Sequence, residues 1–136
     1  MTLADTPAVY IDSSILVASL VPGETHHRKA LELLAACLGQ SFTSVVSEVE
    51  VFRALARRGG PSAVVKAAQR LLAECFLLDL TEGIRSRAGE IPPASMRSLD
   101  AIHVASAIVC GISNFATLDE RQAVGATEAN LRVLDL

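Results

Sequence analysis

The sequence predicts an α/β fold built on a mostly parallel sheet of about five strands. Short apolar runs alternate along the chain with longer segments in which apolar residues recur at helical spacing, the order expected of strands connected by helices. Of the 136 residues, 51% are hydrophobic but only 4% are aromatic, so the core must consist mainly of Ala, Val, Leu and Ile. Such small aliphatic side chains suit helices packed closely on a parallel sheet. We expect residues 1–136 to form a single domain, because this length is sufficient for one hydrophobic core.

The short apolar runs give the predicted strands. Each run lies between segments that favour turns or helices, as strands of a buried parallel sheet do. The predicted strands are residues 8–11, 42–44, 76–80, 112–116 and 131–134.

The segments between these runs predict helices, several of them bounded by a polar cap, Gly or Pro. The helix of residues 99–110 is strongly apolar and is expected to be buried, with Ser98 as its N-cap and Gly111 as its stop. The predicted helices are residues 15–20, 24–38, 45–58, 62–74, 81–90, 99–110 and 120–124.

Four carboxylates are placed where they could converge at one edge of this sheet. Asp12 and Asp119 each follow a predicted strand, and open α/β sheets bind ligands at the carboxyl ends of their strands. Asp100 lies in the first turn of a helix, where the helix dipole favours a negative charge, and Glu50 lies on another helix. Asp12 and Asp119 fit equally well as caps of the helices that follow them.

The helix that carries Glu50 offers two alternatives to a role for Glu50 in this site. Arg53 and Arg57 follow it at helical spacing, so the three residues also fit a solvated face with weak ion pairs. Glu48 is a second carboxylate of the same helix, and helical geometry turns it roughly 200° away from Glu50. Only one of the two can therefore point into a site.

Carboxylates gathered in one cleft repel one another and are stable together only with cations between them. Oxygen ligands without His or Cys favour Mg²⁺ or Mn²⁺. These ions suit phosphodiester hydrolysis, because they activate water and stabilise the charge that develops on the phosphate. The sequence contains neither a Gly-rich phosphate loop nor a Gly-x-Ser-x-Gly motif, which leaves metal-assisted hydrolysis as the favoured chemistry.

Composition limits the kinds of partner that the chain can bind and the cellular compartment in which it is expected. The formal net charge of −3 argues against nucleic-acid binding through charge alone. Residues 101–118 form the longest stretch without Asp, Glu, Lys or Arg, but polar residues and Gly interrupt it, so it is a poor membrane span. Cys37, Cys75 and Cys110 are widely spaced and odd in number, as expected of reduced cysteines. We therefore expect a cytoplasmic protein without a membrane segment.

Four segments together resemble the motifs of PIN-domain ribonucleases, and in particular the VapC-type toxins of bacterial toxin–antitoxin pairs. The resemblance follows the chain in order and spans nearly all of it, so it is far more specific than any single motif. The segments are VYIDSS at 9–14, TSVVSEVE at 43–50, LDAIHVA at 99–105 and ATLD at 116–119.

The resemblance implies a PIN-like three-layer α/β/α sandwich and an endoribonuclease that depends on Mg²⁺ or Mn²⁺. It assigns the four acidic catalytic positions to Asp12, Glu50, Asp100 and Asp119, which would hold a metal-activated water. Asp12, Asp100 and Asp119 are the implied metal ligands, and Ser14 matches a position whose hydroxyl supports the first acid or its water. Glu50 is chosen over its rival because the family places its Glu six residues after the Ser at the strand end.

The same resemblance implies the partners. These are an RNA substrate, a cognate VapB-type antitoxin that covers the active site, and a second copy of the chain in a homodimer. The alternative is a non-catalytic PIN-fold module that binds protein or RNA. A phosphotransferase built on Asp12 is disfavoured, since position 14 is Ser and the only lysines, Lys29 and Lys66, lie on predicted helices.

Three further side chains receive an interpretation from the sequence. We hypothesise that Arg53 and Arg57, on the same helical face as Glu50, contact the RNA backbone. His103 follows Asp100 at helical spacing and could be imagined as a base. Such a histidine is more often a hydrogen-bonding group of the core, and this is the interpretation we adopt for it.

Overall fold

The structure, a computed structural model, describes residues 7–92 and 96–136. Its strands are β1 (Val9–Ile11), β2 (Ser41–Ser44), β3 (Phe76–Leu78), β4 (Asn114–Ala116) and β5 (Arg132–Val133). Its helices are α1 (Ser13–Leu20), α2 (His27–Ala36), α3 (Val45–Arg57), α4 (Ser62–Glu74), α5 (Glu82–Glu90), α6 (Ser98–Val109) and α7 (Glu120–Glu128). The order of strands and helices predicted from the sequence is confirmed.

The five strands form one sheet in the order β3-β2-β1-β4-β5, and every pairing in it is parallel. The chain moves outward from β1 in one direction through β2 and β3, and in the other direction through β4 and β5. The order therefore reverses between β1 and β4. In open α/β sheets this reversal opens a crevice at the carboxyl ends of the two strands, where ligands bind.

Alternating side chains of the central strands build two cores, one on each face of the sheet. Ile11 and Ala116 pack with apolar residues of α1 to α4. Tyr10 and Phe115 point to the opposite face and pack with α6 and α7, their rings stacked with centroids 5.2 Å apart. The result is a three-layer α/β/α sandwich, as expected, because a strand with apolar residues on both faces needs helices on both sides.

Several helix boundaries differ from the prediction by one or more residues, and three of these differences are described here. α7 continues past Gly125, where the sequence suggested an end, because this glycine is buried and leaves room for the side chain of Met96. α6 begins at Ser98, which is its first helical residue and not its N-cap. α2 begins at His27, because the residues just before it form turns closed by backbone hydrogen bonds.

The stretch of residues 101–118 is divided between α6, a turn and β4, in agreement with its prediction as a poor membrane span. Within the described ranges, no helix has both the length and the apolar character that crossing a membrane requires.

Candidate active site

Asp12 occupies the carboxyl end of β1, beside the point where the strand order reverses. Its backbone N–H donates to the carbonyl oxygen of Ala116 at 3.1 Å, which continues the parallel ladder with β4. Its side chain is the N-cap of α1 and accepts hydrogen bonds from the backbone N–H groups of Ser14, at 3.0 Å, and Ile15. The sequence left a choice between a cap and a site for this residue, and the geometry shows that the capping role is real.

The carboxylate of Asp12 is buried, with only 2% of the residue exposed. Ser14 donates its hydroxyl hydrogen to Oδ1, and Thr117 donates its hydroxyl hydrogen to Oδ2. Burial raises the pKa of Asp12 above its usual value, because the ionised form loses its hydration. His103 lowers this pKa by a smaller amount, and no ion pair within the described ranges involves the carboxylate directly.

Thr117 connects Asp12 to the second strand-end carboxylate. Its hydroxyl oxygen accepts a hydrogen bond from the backbone N–H of Asp119 at 3.0 Å. The side chain of Asp119 is the N-cap of α7, and its Oδ1 accepts from the N–H groups of Arg121 and Gln122 at 2.9 and 3.2 Å. Residues after β1 and residues after β4 are thus joined by side-chain hydrogen bonds at one edge of the sheet.

Asp100 lies in the first turn of α6, as predicted, and is half-buried. Its Oδ2 accepts a hydrogen bond from the backbone N–H of Arg97 at 3.1 Å, so this carboxylate stabilises the start of its own helix. The buried side chain of Gln122 donates to the carbonyl oxygen of Asp100 at 3.4 Å. This bond ties the first turn of α6 to the first turn of α7, and places Asp100 on the Asp119 side of the site.

Glu50 reaches the site from α3 and is held there by His103. Nε2 of His103 lies 2.6 Å from Oε1 of Glu50, and Nδ1 lies 2.6 Å from the hydroxyl oxygen of Tyr10. His103 is buried, whereas the side chain of Glu50 remains 26% exposed. The interpretation of His103 as a hydrogen-bonding group of the core is confirmed, and its partner is one of the four predicted carboxylates.

A cleft of about 760 Å³ opens next to α3. Asp12, Asp100 and Asp119 do not line it themselves, although their sequence neighbours Ser13, Leu99 and Leu118 do. Ser14 and Glu50 line it together with Arg53 and Arg57, both of which are exposed. Its remaining wall is largely apolar. The rival carboxylate Glu48 lines a different and smaller hollow, so Glu50 is the one that faces the cleft.

Asp12 and Asp119 are linked through Thr117, and the backbone of Asp100 is tied to α7 through Gln122, whereas Glu50 contacts His103 on the cleft side. Among the described residues the four carboxylates do not form a preassembled metal cluster. No three side chains among His, Cys, Asp and Glu of the described residues are arranged to hold one ion. The chemistry of the donors nevertheless fits a hard divalent cation, because the available ligands are carboxylate oxygens. The buried carboxylate of Asp12 also has no direct ion pair among these residues, and a bound metal would supply a positive charge there.

Two members of this site were not predicted from the sequence. Thr117 belongs to the ATLD motif but has no predicted role of its own, although its position two residues before Asp119 is a usable signal. Tyr10 was assigned only to a strand. Its contact with His103 spans 93 residues and has no local signal.

Comparison with known proteins agrees with this geometry. A model of the PIN domain family matches residues 9–127. The ribonuclease VapC47 of Mycobacterium tuberculosis is 36% identical over 124 residues, which cover 88% of this chain and 90% of the relative. The crystal structure of M. tuberculosis VapC20, described as a sarcin–ricin loop cleaving toxin, superposes with a TM-score of 0.74 and 25% identity, covering 86% of this chain and 94% of that one.

A toxin–antitoxin complex from Klebsiella pneumoniae has the same fold, with a TM-score of 0.72 over 94% of this chain and 97% of that one, at 19% identity. The fold, together with four acidic residues in the expected sequence along the chain, is that of a PIN domain. The chain therefore belongs to the PIN-domain family and, within it, to the VapC ribonucleases.

Proposed function

We propose that this protein is an endoribonuclease that requires Mg²⁺ or Mn²⁺ and acts as the toxin of a toxin–antitoxin pair. The observation that carries the proposal is the buried carboxylate of Asp12 at the strand-order reversal, joined through Thr117 to the Asp119 segment. A carboxylate buried without a direct ion pair is costly, and the cost is offset when a metal ion binds there. Membership of the VapC ribonucleases makes RNA the substrate we propose.

Each carboxylate then has a role in the proposed reaction. Asp12, Asp100 and Asp119 would hold the ion, and Ser14 would keep Asp12 in position through its hydroxyl and backbone N–H bonds. A bound divalent ion lowers the pKa of water and stabilises negative charge on the phosphate. Glu50 faces the cleft beside them, where it can orient or accept a proton from the attacking water.

The proposed path of the RNA runs along the cleft. Arg53 and Arg57 are exposed on the Glu50 face of α3 and line this cleft, so both guanidinium groups can reach phosphates of a bound strand. The overall net charge of −3 does not oppose this arrangement, since the cations are concentrated where the backbone of the RNA would lie.

The proposed protein partners are a VapB-type antitoxin and a second copy of the chain. Support for the antitoxin comes from the K. pneumoniae structure, which is a toxin–antitoxin complex with the same fold. The apolar wall of the cleft, with exposed Val49 and Leu99, offers a surface that a segment of an antitoxin would cover.

Cleavage of total bacterial RNA tests the proposal directly. The purified protein is incubated with Mg²⁺, with Mn²⁺ or with EDTA, beside Asp100→Asn, which keeps an acceptor for the Arg97 N–H but removes the charge. We expect discrete fragments that require metal, and a loss of at least about 100-fold in the variant.

Within the part of the chain that the structure describes, no metal cluster is preassembled, which favours one alternative, a PIN-fold module that binds RNA or protein without cleaving it. Folded wild-type protein that cuts no RNA with either metal would support that alternative. Equal cleavage by wild type and Asp100→Asn would contradict the assigned site.

A further inference from the structure

Three buried or half-buried groups form a chain of hydrogen bonds that runs from the sheet to the cleft. The hydroxyl of Tyr10 in β1 meets Nδ1 of His103 in α6, and Nε2 of the same imidazole meets Oε1 of Glu50 in α3. Both distances are 2.6 Å. We propose that Tyr10 and His103 are positioning residues that fix the tautomer of the imidazole and thereby hold the Glu50 carboxylate in the cleft. This inference rests on the proposed ribonuclease function and names residues through which that site is organised.

The direction of each bond follows from what the groups can donate. A carboxylate only accepts, so Nε2 of His103 carries a proton and donates it to Glu50. With its proton on Nε2, a neutral imidazole has an acceptor at Nδ1, so the hydroxyl of Tyr10 donates its hydrogen there. Each group therefore specifies the protonation of the next, and the neutral imidazole is held with its proton on the nitrogen that faces the cleft.

The arrangement is rigid on its core side. Tyr10 is fully buried, and its ring is stacked at 10° on Phe115. His103 is 1% exposed and cannot touch RNA in the cleft. Glu50 is the end of the chain of hydrogen bonds that faces solvent. Without the bond to His103, its long and partly exposed side chain would sample several rotamers. A bond from a fixed imidazole removes that freedom before substrate binds.

A purely structural role would not require these residue types. An apolar side chain in place of His103 would fill the core without leaving polar atoms to satisfy. The imidazole instead uses both nitrogens, one toward the core and one toward a group that lines the cleft. Removal of a group that orients a functional side chain in this way typically lowers activity by about 10- to 100-fold.

The variants separate positioning from stability. Tyr10→Phe deletes one hydroxyl and keeps the stacked ring, so it serves as the mildest test and folds even if changes at His103 do not. His103→Leu removes both bonds, and His103→Gln restores an N–H donor toward Glu50. Val104→Ala is the matched control, because this buried neighbour in α6 faces the same core without contacting Glu50.

Kinetics are measured with an RNA oligonucleotide built around one site that the wild type cuts in total bacterial RNA. We expect kcat to fall roughly 10- to 100-fold in His103→Leu with KM nearly unchanged, and to recover in His103→Gln. Tyr10→Phe should lose up to about tenfold. Val104→Ala should lower the unfolding temperature and leave kcat unchanged. Wild-type kcat in both His103→Leu and Tyr10→Phe would overturn the inference, as would a rise in KM alone.

The second readout is independent of cleavage. Nitrogen chemical shifts of His103 in the metal-free protein should show an unprotonated Nδ1 and a protonated Nε2 at neutral pH, and Tyr10→Phe should change that distribution. A proton on Nδ1 of the wild type would overturn the inference. If wild type cuts no RNA with either metal, the ribonuclease proposal fails, while the nitrogen shifts still decide whether His103 holds Glu50.

Discussion

The hydroxyl of Thr117 donates its hydrogen to Oδ2 of Asp12, a residue 105 positions earlier in the chain. The same oxygen accepts the backbone N–H of Asp119, so a single hydroxyl connects the ends of two parallel strands. This connection orients the most buried carboxylate of the site and explains why a Thr stands before the last acidic motif position.

Removing the hydroxyl of Thr117 should impair both folding and activity. Thr117→Val leaves an oxygen of Asp12 and the N–H of Asp119 without a partner, which costs about 1–3 kcal/mol of unfolding free energy. RNA cleavage should fall roughly 10- to 100-fold, because Asp12 loses its orientation. Thr117→Ser keeps the hydroxyl and should remain close to wild type. Chemical denaturation and an RNA cleavage assay measure the two effects, and equal behaviour of the Val and Ser variants would contradict the bridging role.

Replacing Asp12 by Asn should stabilise the metal-free protein at neutral pH. Burial raises the pKa of Asp12 in the folded state above that of an unfolded Asp, about 4. The folded protein therefore binds this proton more tightly, and its free energy of unfolding falls as pH rises from the unfolded to the folded pKa. Asp12→Asn keeps a side-chain oxygen that can cap α1 but cannot ionise. The free energy of unfolding of this variant should therefore not fall with rising pH through this group.

Thermal unfolding in EDTA, from about pH 4 to pH 8, checks this sign. The unfolding temperature of Asp12→Asn should exceed that of wild type at neutral pH, and the gap should close toward acid pH. Addition of Mg²⁺ should raise the unfolding temperature of wild type alone. A variant that is less stable than wild type at neutral pH would show that the buried charge is already compensated.

Charge reversal at Arg57 should weaken RNA binding. Loss of one phosphate contact in water is worth about 1 kcal/mol, or roughly fivefold in Kd, and should lower the dependence of log K on log salt by about 1. Arg70→Glu makes the same charge change on α4, outside the residues that line the cleft. Binding is measured in the Asp100→Asn background to avoid cleavage. Equal effects of the two reversals would remove Arg57 from the RNA path.

Two helical glycines should respond to alanine in opposite directions. A Cβ on Gly125 would overlap Sδ of the buried Met96, so Gly125→Ala should cost about 1–3 kcal/mol of overpacking, more than the gain of about 1 kcal/mol in helix propensity. Gly89→Ala has open space around it and should be neutral or stabilising. Chemical denaturation of both variants tests the pair, and a stabilised Gly125→Ala would show that Met96 moves aside freely.

The sequence by itself determined the succession of strands and helices and the positions of the carboxylates along it. Periodicity is a local property, so apolar runs and helical spacing located β1 to β5 and all seven described helices, to within a few residues at their ends, without any knowledge of contacts. The strand-end positions of Asp12 and Asp119 followed from the same pattern. The family resemblance added the choice of Glu50 and of the metal ligands, which remain predictions.

Only the tertiary structure decided which groups meet. The bond of His103 to Glu50 spans 53 residues and that of Tyr10 to His103 spans 93, and distant partners leave no periodic signal in a chain. The packing of Met96 against Gly125 in α7 is likewise a contact between distant positions that leaves no local signal. Hydrogen-bond partners and the space available to each side chain are properties of the packed interior. They are defined only when the helices are packed on the sheet.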